Sequence, residues 1–304
     1  MIPTGSDTRS LATKTMLVTG GGRGLGRATA ERLATAGNWV LVSARTPGAA
    51  EAAVADIRRR HPGAALEARS VDLSSFAQVR TFAAEELGRG GPIDVLFHIA
   101  GVMQTSPVRR LSVDGFEETL AVNVLAPFLL TLLLLPALER SASARVITVS
   151  SRLHLPGSRG AQVGFDFDDP QLERGYNPDR AYKNSKLAVL WFTYELQRRL
   201  SPRRITANAV CPGFVPATVA SGLHGPRRLF MRYVMPHMRF ATSPEDATSS
   251  LAFMALDPSL EGVGGKFFAE RRPISSSPES YDPDRAGRLW ELAARLTGLE
   301  ATPL

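Results

Sequence analysis

Short apolar runs alternate with longer stretches of helical periodicity along most of this 304-residue chain. Residues 14–19, 39–43 (WVLVS), 66–70, 93–98, 145–150 (RVITVS), 205–210 and 265–269 are short, mostly apolar runs between helical stretches, and they read as strands. Between them, residues 27–36, 49–60, 76–87, a long stretch around Asn123, 181–200 and 244–256 read as helices. Strands that are apolar at nearly every position need cover on both faces, and right-handed crossovers put the intervening helices there. The pattern therefore predicts an α/β fold, a doubly wound parallel sheet of about seven strands in the order 3-2-1-4-5-6-7. No Pro/Ser-rich linker and no internal repeat divides the series, so residues 14–304 read as one domain with a C-terminal helix at about 283–297. Residues 1–13 are polar, lack an apolar core of the signal-peptide kind, and read as a flexible tail.

Two stretches break the rhythm. Residues 152–180 are rich in Gly, Pro and Asp, and residues 218–240 in Arg, Met and aromatics. Both leave the carboxyl ends of strands, where open α/β sheets bind ligands, so both are expected to wall a substrate pocket. Residues 120–138 are the most apolar stretch, but Asn123, Pro127 and Pro136 interrupt it, which favours a buried helix over a membrane span.

The turn after the first strand is Thr19-Gly20-Gly21-Gly22-Arg23-Gly24-Leu25-Gly26. Absent side chains at Gly20, Gly22, Gly24 and Gly26 let the backbone approach a pyrophosphate, and the following helix offers unpaired N–H groups. Strand, glycine turn and helix in this order make the sheet Rossmann-type. An acidic residue closing the second strand would hold a ribose 2′-OH, but Ala44 stands there, followed by Arg45. Arg23 and Arg45 are placed to clamp a 2′-phosphate, so the expected cofactor is NADP(H). Asp72 and Leu73 suit the adenine, the first as a carboxylate near its amino group and the second under the ring; alternatively Asp72, with Ser74, caps the next helix.

Net charge +7 and a pI near 10 would permit nucleic-acid binding, but the arginines are dispersed in short groups, and no nucleic-acid partner is expected. Cys211 is the only cysteine and the five histidines are scattered, so neither a disulfide nor a metal site is expected. A cytoplasmic setting follows as the expectation.

Tyr182 and Lys186 lie one helical turn apart on the same face of a helix. A neighbouring ammonium can lower a phenol from about 10 by roughly one to three units, which would make Tyr182 an acid and base near neutrality. Ser150 and Ser151 end the strand before that helix, and Ser151 is the better placed of the two. Asn123, polar within an apolar helix, needs buried partners, either a water, the Lys186 amine or purely structural groups.

Taken in order, Thr19 to Gly26, His98-Ile99-Ala100-Gly101, Asn123, Ser151, Tyr182-x-x-x-Lys186 and Pro212-Gly213 closely resemble the short-chain dehydrogenase/reductase superfamily over residues 14–270. The stretches around Asn123 and Tyr182 are most similar to the branch of retinol dehydrogenases and protochlorophyllide reductases. The resemblance implies that Tyr182 is the general acid in carbonyl reduction and that Lys186 binds the nicotinamide ribose. It implies further that Ser151 orients the carbonyl and that Asn123 supports a proton relay. Ala100 and Gly101 would line the cofactor, with Pro212, Gly213 and Val215 at its nicotinamide end. His98-Ile99 departs from the family's Asn-Asn, and no cysteine precedes Tyr182 in the 152–180 interval, unlike protochlorophyllide reductases.

The expected function is thus NADPH-dependent interconversion of a carbonyl and an alcohol on a bulky, lipophilic small molecule. Reduction of an activated C=C bond and a non-catalytic NADP(H)-binding module are the alternatives. Leu223, Phe230, Met231, Tyr233, Val234, Met235, Met238 and Phe240 suit an apolar lid, with Arg227, Arg228, Arg232 and Arg239 for an acidic substituent. Core packing, a homodimer contact or a peripheral membrane contact explains the same stripe.

Overall fold

The computed structural model describes residues 14–158, 160–201, 203–216, 218, 225, 229–238 and 241–299. The 1–13 tail, Leu223, Arg227, Arg228, Arg239, Phe240 and the Arg232 side chain lie outside the described residues.

Eight strands form one sheet: β1 (Thr15–Thr19), β2 (Trp39–Ala44), β3 (Leu66–Ser70), β4 (Val95–His98), β5 (Ala144–Val149), β6 (Ile205–Cys211), β7 (Phe267–Ala269) and β8 (Arg272–Ile274). Their order is β3-β2-β1-β4-β5-β6-β7-β8, parallel except for the antiparallel β7–β8 pair. The expected order holds for seven strands, and β8 adds an eighth at the edge. The link between β7 and β8 is Glu270-Arg271, both with positive φ (53° and 62°). A two-residue hairpin with both φ values positive normally carries Asn-Gly or Asp-Gly, so this turn has no signature in the sequence. Pro273 is tolerated because β8 is an edge strand.

Alternate strand residues feed two cores. Met16, Val18, Val95 and Phe97 pack with α1 (Gly24–Thr35), α2 (Pro47–Arg60) and the later helix over Pro244–Leu256. Leu17, Leu96 and Val146 pack on the other face with α3 (Phe76–Gly88), the Asn123 region and the helix over Pro178–Leu200.

The long apolar stretch is not one helix. It divides into α4 (Glu118–Leu120), a π-helical segment (Ala121–Leu125), α5 (Ala126–Leu133) and α6 (Leu135–Glu139). Within it the Ala126 N–H bonds the Ala121 carbonyl, five residues back, which inserts an extra residue into the turn that carries Asn123. All five π-segment residues are buried, so the stretch is core, and no described helix is long and apolar enough to cross a membrane.

Among the described residues, the longer helices that follow are α7 (Pro178–Leu200), α8 (Pro244–Leu256) and α9 (Pro283–Thr297). Asn177 caps α7 by accepting from the Arg180 N–H at 3.0 Å, with Pro178 in the first turn, so α7 begins three residues earlier than its apolar periodicity indicates. Asp282 caps α9, and Gly298 closes it with φ 62°. The apolar face of α9 lies on α7 and α5, where Trp290 packs against Phe128 (centroids 4.9 Å, edge-on) and Phe192 (6.3 Å).

Candidate active site

The glycine turn brings backbone within contact of backbone. Gly20 has φ 72°, and a Cβ there would stand 2.8 Å from Ala100 Cα. A Cβ on Gly26 would overlap the Gly20 carbonyl, and one on Gly22 would meet Ala44 Cβ at 2.9 Å. Thr19 fixes the adjoining strand end: its hydroxyl donates to the Phe97 carbonyl (3.0 Å) and accepts from the Ile99 and Ala100 N–H groups (3.2 and 3.3 Å). Ala100 is thereby held over Gly20. Leu25 is buried behind the turn.

At the start of α1, Arg23 is extended, provides no side-chain cap, and no acidic residue occupies the first turn. The amide donors and the positive end of the helix dipole are left for an anion. Arg23 and Arg45 are both exposed at this rim, and Arg45 has no ion-pair or hydrogen-bond partner among the described residues. Asp72 Oδ1 accepts from the Ser74 N–H (2.9 Å) and hydroxyl (2.8 Å), closing a turn. The cap of α3 is Ser75 and not Asp72 with Ser74, because Ser75 accepts from the Gln78 N–H. Leu73 is buried beside it. These residues fit a dinucleotide: a side-chain-free cradle, unspent helix donors and an uncommitted cation at the far rim.

The other half of the crevice collects Asn123, Ser151, Tyr182 and Lys186. Gly101 sits between two of them, since a Cβ there would lie 3.3 Å from Asn123 Oδ1 and 3.7 Å from Lys186 Nζ. Asn123 is held on both ends of its amide: Oδ1 accepts from the Val102 N–H (2.8 Å), and Nδ2 donates to the Val102 carbonyl (2.9 Å) and Ser185 Oγ (3.0 Å). Its side chain is therefore spent on backbone and Ser185. Lys186 is buried, donates to the Val149 carbonyl (2.9 Å), and lies 5.3 Å from the centre of the Tyr182 ring. Ser151 Oγ accepts from the Leu153 N–H (3.2 Å) and stands near enough to the Tyr182 phenol to favour its ionised form. Ser150 is turned away, its hydroxyl donating to the Lys186 carbonyl at 2.9 Å.

The phenol is not lowered as the spacing predicts. Burial pushes Tyr182 up to about 12, with Cys211 adding to the rise and the Ser151 hydrogen bond opposing it. Burial also pushes Lys186 down to about 8, with Cys211 opposing that shift. The reason lies in direction: the ammonium is aimed at the Val149 carbonyl and the ring, so both groups carry their desolvation.

The helix stretch Lys183-Asn184-Ser185, which sequence reasoning left without a role, holds the site together. Lys183, fully buried, donates to the Ala161 carbonyl (2.8 Å) and pairs with Asp179 (3.2 Å). Asn184 grips Gly164 twice, accepting its N–H and donating to its carbonyl, both at 3.0 Å. Ser185 donates to the Tyr182 carbonyl (2.7 Å). The segment after β5 is thus pinned to α7 by its backbone, and Phe165 buries against Trp191 beneath it. Asp169 is buried, accepting from the Glu173 and Arg174 N–H groups (2.8 and 3.0 Å). Asp166 and Asp168 are exposed.

Cys211 is the second residue that sequence reasoning missed. It ends β6, is buried, and lies within electrostatic range of both Tyr182 and Lys186. Pro212 and Val215 are buried beyond it, and Gly213 is exposed with Thr242 packed against it. Phe230, Tyr233, Val234 and Met238 are exposed, from 46% to 60%, which rules out core packing for these members of the apolar stripe; Leu229, outside the stripe, is exposed too.

A parallel sheet in this order, a glycine cradle after β1, and Ser151, Tyr182 and Lys186 gathered at the carboxyl end of β5 define a short-chain dehydrogenase. The short chain dehydrogenase family model matches residues 14–162, and the chain belongs to that family. It is 38% identical to human retinol dehydrogenase 13 over 291 residues, covering 95% of this chain and 86% of that protein. It is 35% identical to human polyprenol dehydrogenase, covering 93% and 84%. Among solved structures, an uncharacterised protein from Mycobacterium paratuberculosis is similar at 32% identity and TM-score 0.70, covering 98% of this chain and all of that one. The Pseudomonas aeruginosa RhlG/NADP active-site complex is similar at 27% identity and TM-score 0.66, covering 87% and 97%. Within the superfamily, the chain stands in a branch resembling retinol dehydrogenases.

Proposed function

We propose that this short-chain dehydrogenase interconverts a carbonyl and an alcohol on a long, lipophilic small molecule with NADP(H), and that Tyr182 is its proton donor and acceptor. The observation that carries the reading is the placing of the buried Lys186 ammonium 5.3 Å from the Tyr182 ring centre and beside Gly101, next to the cradle formed by Gly20 and Ala100. The nicotinamide, when bound, supplies or takes up the hydride at its C4 position.

The chain's own residues do the rest. Gly20, Gly22, Gly24 and Gly26 with the α1 N–H groups would hold the pyrophosphate, and Ala100, Gly101, Pro212, Gly213 and Val215 would bracket the nicotinamide end. Ser151 Oγ accepts the Leu153 N–H on one lone pair, and its hydroxyl proton is available to orient a carbonyl oxygen. Tyr182, raised to about 12, is a neutral phenol near neutrality, the form that protonates the oxygen in reduction. Lys186 keeps a cation next to that phenol and holds the ribose.

The preference for NADP(H) is supported by Arg45, a cation with no partner among the described residues, standing where an acidic residue would favour NAD(H). It is supported also by likeness to structures carrying NADP. The lipophilic substrate class is supported by the names of the relatives, since retinol and polyprenol are both long apolar alcohols. The exposed apolar residues at 229–238 are available to meet such a chain.

An NADPH-consumption screen across aldehydes, ketones and enones of increasing chain length, with Tyr182→Phe as control, tests the reading. Turnover of long apolar aldehydes that disappears in Tyr182→Phe is expected. A product that keeps its carbonyl would point to C=C reduction. Equal or tighter binding of NADH than NADPH would overturn the cofactor assignment, which Arg45→Asp is expected to weaken at least tenfold for NADPH.

A further inference from the structure

Resting on the reading that Ser151 orients the reacting carbonyl, we propose that His154 is the positioning residue for Ser151, acting as a neutral ring that ties the serine's turn to the chain segment between β8 and α9. His154 closes the 3-10 turn Arg152–His154 that Ser151 begins, and its side chain is 1% exposed. Its Nδ1 stands 2.5 Å from the Ser151 carbonyl oxygen, and its Nε2 stands 3.1 Å from the Ser277 amide nitrogen.

These two partners settle where the ring proton is. A carbonyl oxygen only accepts, so Nδ1 carries the hydrogen; a backbone N–H only donates, so Nε2 is bare. No other protonation state satisfies both bonds, because a proton on Nε2 would face the Ser277 N–H. The ring is further fixed edge-on against Phe267 of β7, with centroids 5.1 Å apart and planes at 85°.

On one side of the ring, then, is the residue whose hydroxyl reaches Tyr182. On the other is a small polar cluster. Ser277 accepts at its carbonyl from the Ser280 hydroxyl (2.6 Å), Ser280 bonds Ser276 (2.6 Å), and Ser276 bonds the Tyr194 hydroxyl (2.8 Å). Tyr194 lies on α7 two turns beyond Lys186, and Trp191 on the same helix donates to the Glu279 carbonyl at 2.9 Å. The 276–281 segment is therefore seated on the catalytic helix itself, and His154 spans from that seat to Ser151. Loss of the Nδ1–H bond leaves the Ser151 carbonyl with only the long His154 N–H contact (3.3 Å), and the turn that aims Oγ slackens.

Two substitutions separate the bonds. In His154→Asn the side-chain amide N–H occupies the Nδ1 position and nothing accepts from Ser277. In His154→Gln the amide oxygen occupies the Nε2 position and nothing donates to Ser151. Steady-state kinetics of the full chain with NADPH and an accepted aldehyde is expected to show that His154→Asn retains at least a third of kcat. His154→Gln is expected to lose roughly tenfold or more in kcat, with KM for NADPH within about twofold of wild type; tenfold is the rate cost of about 1.4 kcal/mol, the size of one hydrogen bond. A merely structural histidine would instead make kcat follow melting temperature in both variants. Equal losses in the two variants, or no loss in Gln, would overturn the proposal while Tyr182→Phe still abolishes turnover. Retained turnover in Tyr182→Phe would overturn the functional reading instead. Amide exchange supplies a check independent of turnover: the Ser277 N–H is expected to exchange faster in His154→Asn and at the wild-type rate in His154→Gln, and the reverse pattern would overturn the assigned proton position.

Discussion

Replacing Lys186 by methionine is expected to abolish turnover and at the same time make the cofactor-free protein harder to unfold. The ammonium is 4% exposed and burial lowers its pKa from 10.5 to about 8. That gap corresponds to about 3 kcal/mol spent on keeping the charge inside. Methionine removes this cost but orphans the Val149 carbonyl, which Lys186 now satisfies, for roughly 1–2 kcal/mol. A net gain of about 1–2 kcal/mol remains, or roughly 2–3 °C in melting temperature for a domain of this size. The sign with pH follows from the same shift. Between pH 8 and 10.5 the unfolded chain still binds the lysine proton while the folded one has released it, so wild-type stability from this group rises with pH. The advantage of Lys186→Met should be full below pH 8 and should shrink as pH approaches 10.5. Thermal denaturation of both proteins without cofactor at pH 7 and pH 10, beside an NADPH-consumption assay, measures this. A lower melting temperature for the variant at pH 7, or a difference that does not narrow at pH 10, would refute the reasoning.

Other perturbations have equally definite outcomes. His98, buried with Nε2 on Thr131 and Nδ1 without a partner among the described residues, is pushed down to about 3. The unfolded chain takes up a proton there between pH 6.5 and 3 and the folded one does not, so urea-unfolding stability should fall across that window by up to about 5 kcal/mol, and less steeply in His98→Asn. Gly26→Ala places a Cβ on the Gly20 carbonyl, and isothermal titration should show NADPH affinity reduced at least tenfold; unchanged affinity would remove the cradle from the binding site. Truncation after Asp282 strips Trp290 from Phe128 and Phe192 and bares their side of α5 and α7. Light scattering should find the truncated chain associated, and a monodisperse truncated monomer with unchanged melting temperature would contradict the role given to α9.

The sheet order was legible because most of the seven strands are apolar at nearly every position, β3 (LEARS) being the exception, and each connects through a helix of recognisable period. What escaped was local. The β7–β8 hairpin turns through Glu270 and Arg271, whose side chains give no hint of positive φ. The π-helical turn at Asn123 lies in a stretch apolar all round, where no face is distinguished and an inserted residue leaves no trace in the pattern. Tyr182 and Lys186 were recognisable from spacing, but spacing carries no information on where an ammonium points. The shift of the phenol therefore came out opposite to expectation. Cys211, His154 and the Lys183–Ser185 contacts depend on meetings between elements far apart in the chain, which no single window of residues contains.

The grip of α7 on the segment after β5 falls on main-chain atoms: the carbonyl of Ala161 and both amide groups of Gly164. Side chains along that segment are consequently not specified by these anchors. Exchange of the exposed Gln162, whose side chain takes no part in these anchors, would leave the segment's path and the placement of Tyr182 and Lys186 on α7 unchanged. Sequence in such a stretch is free to drift while its backbone route stays fixed.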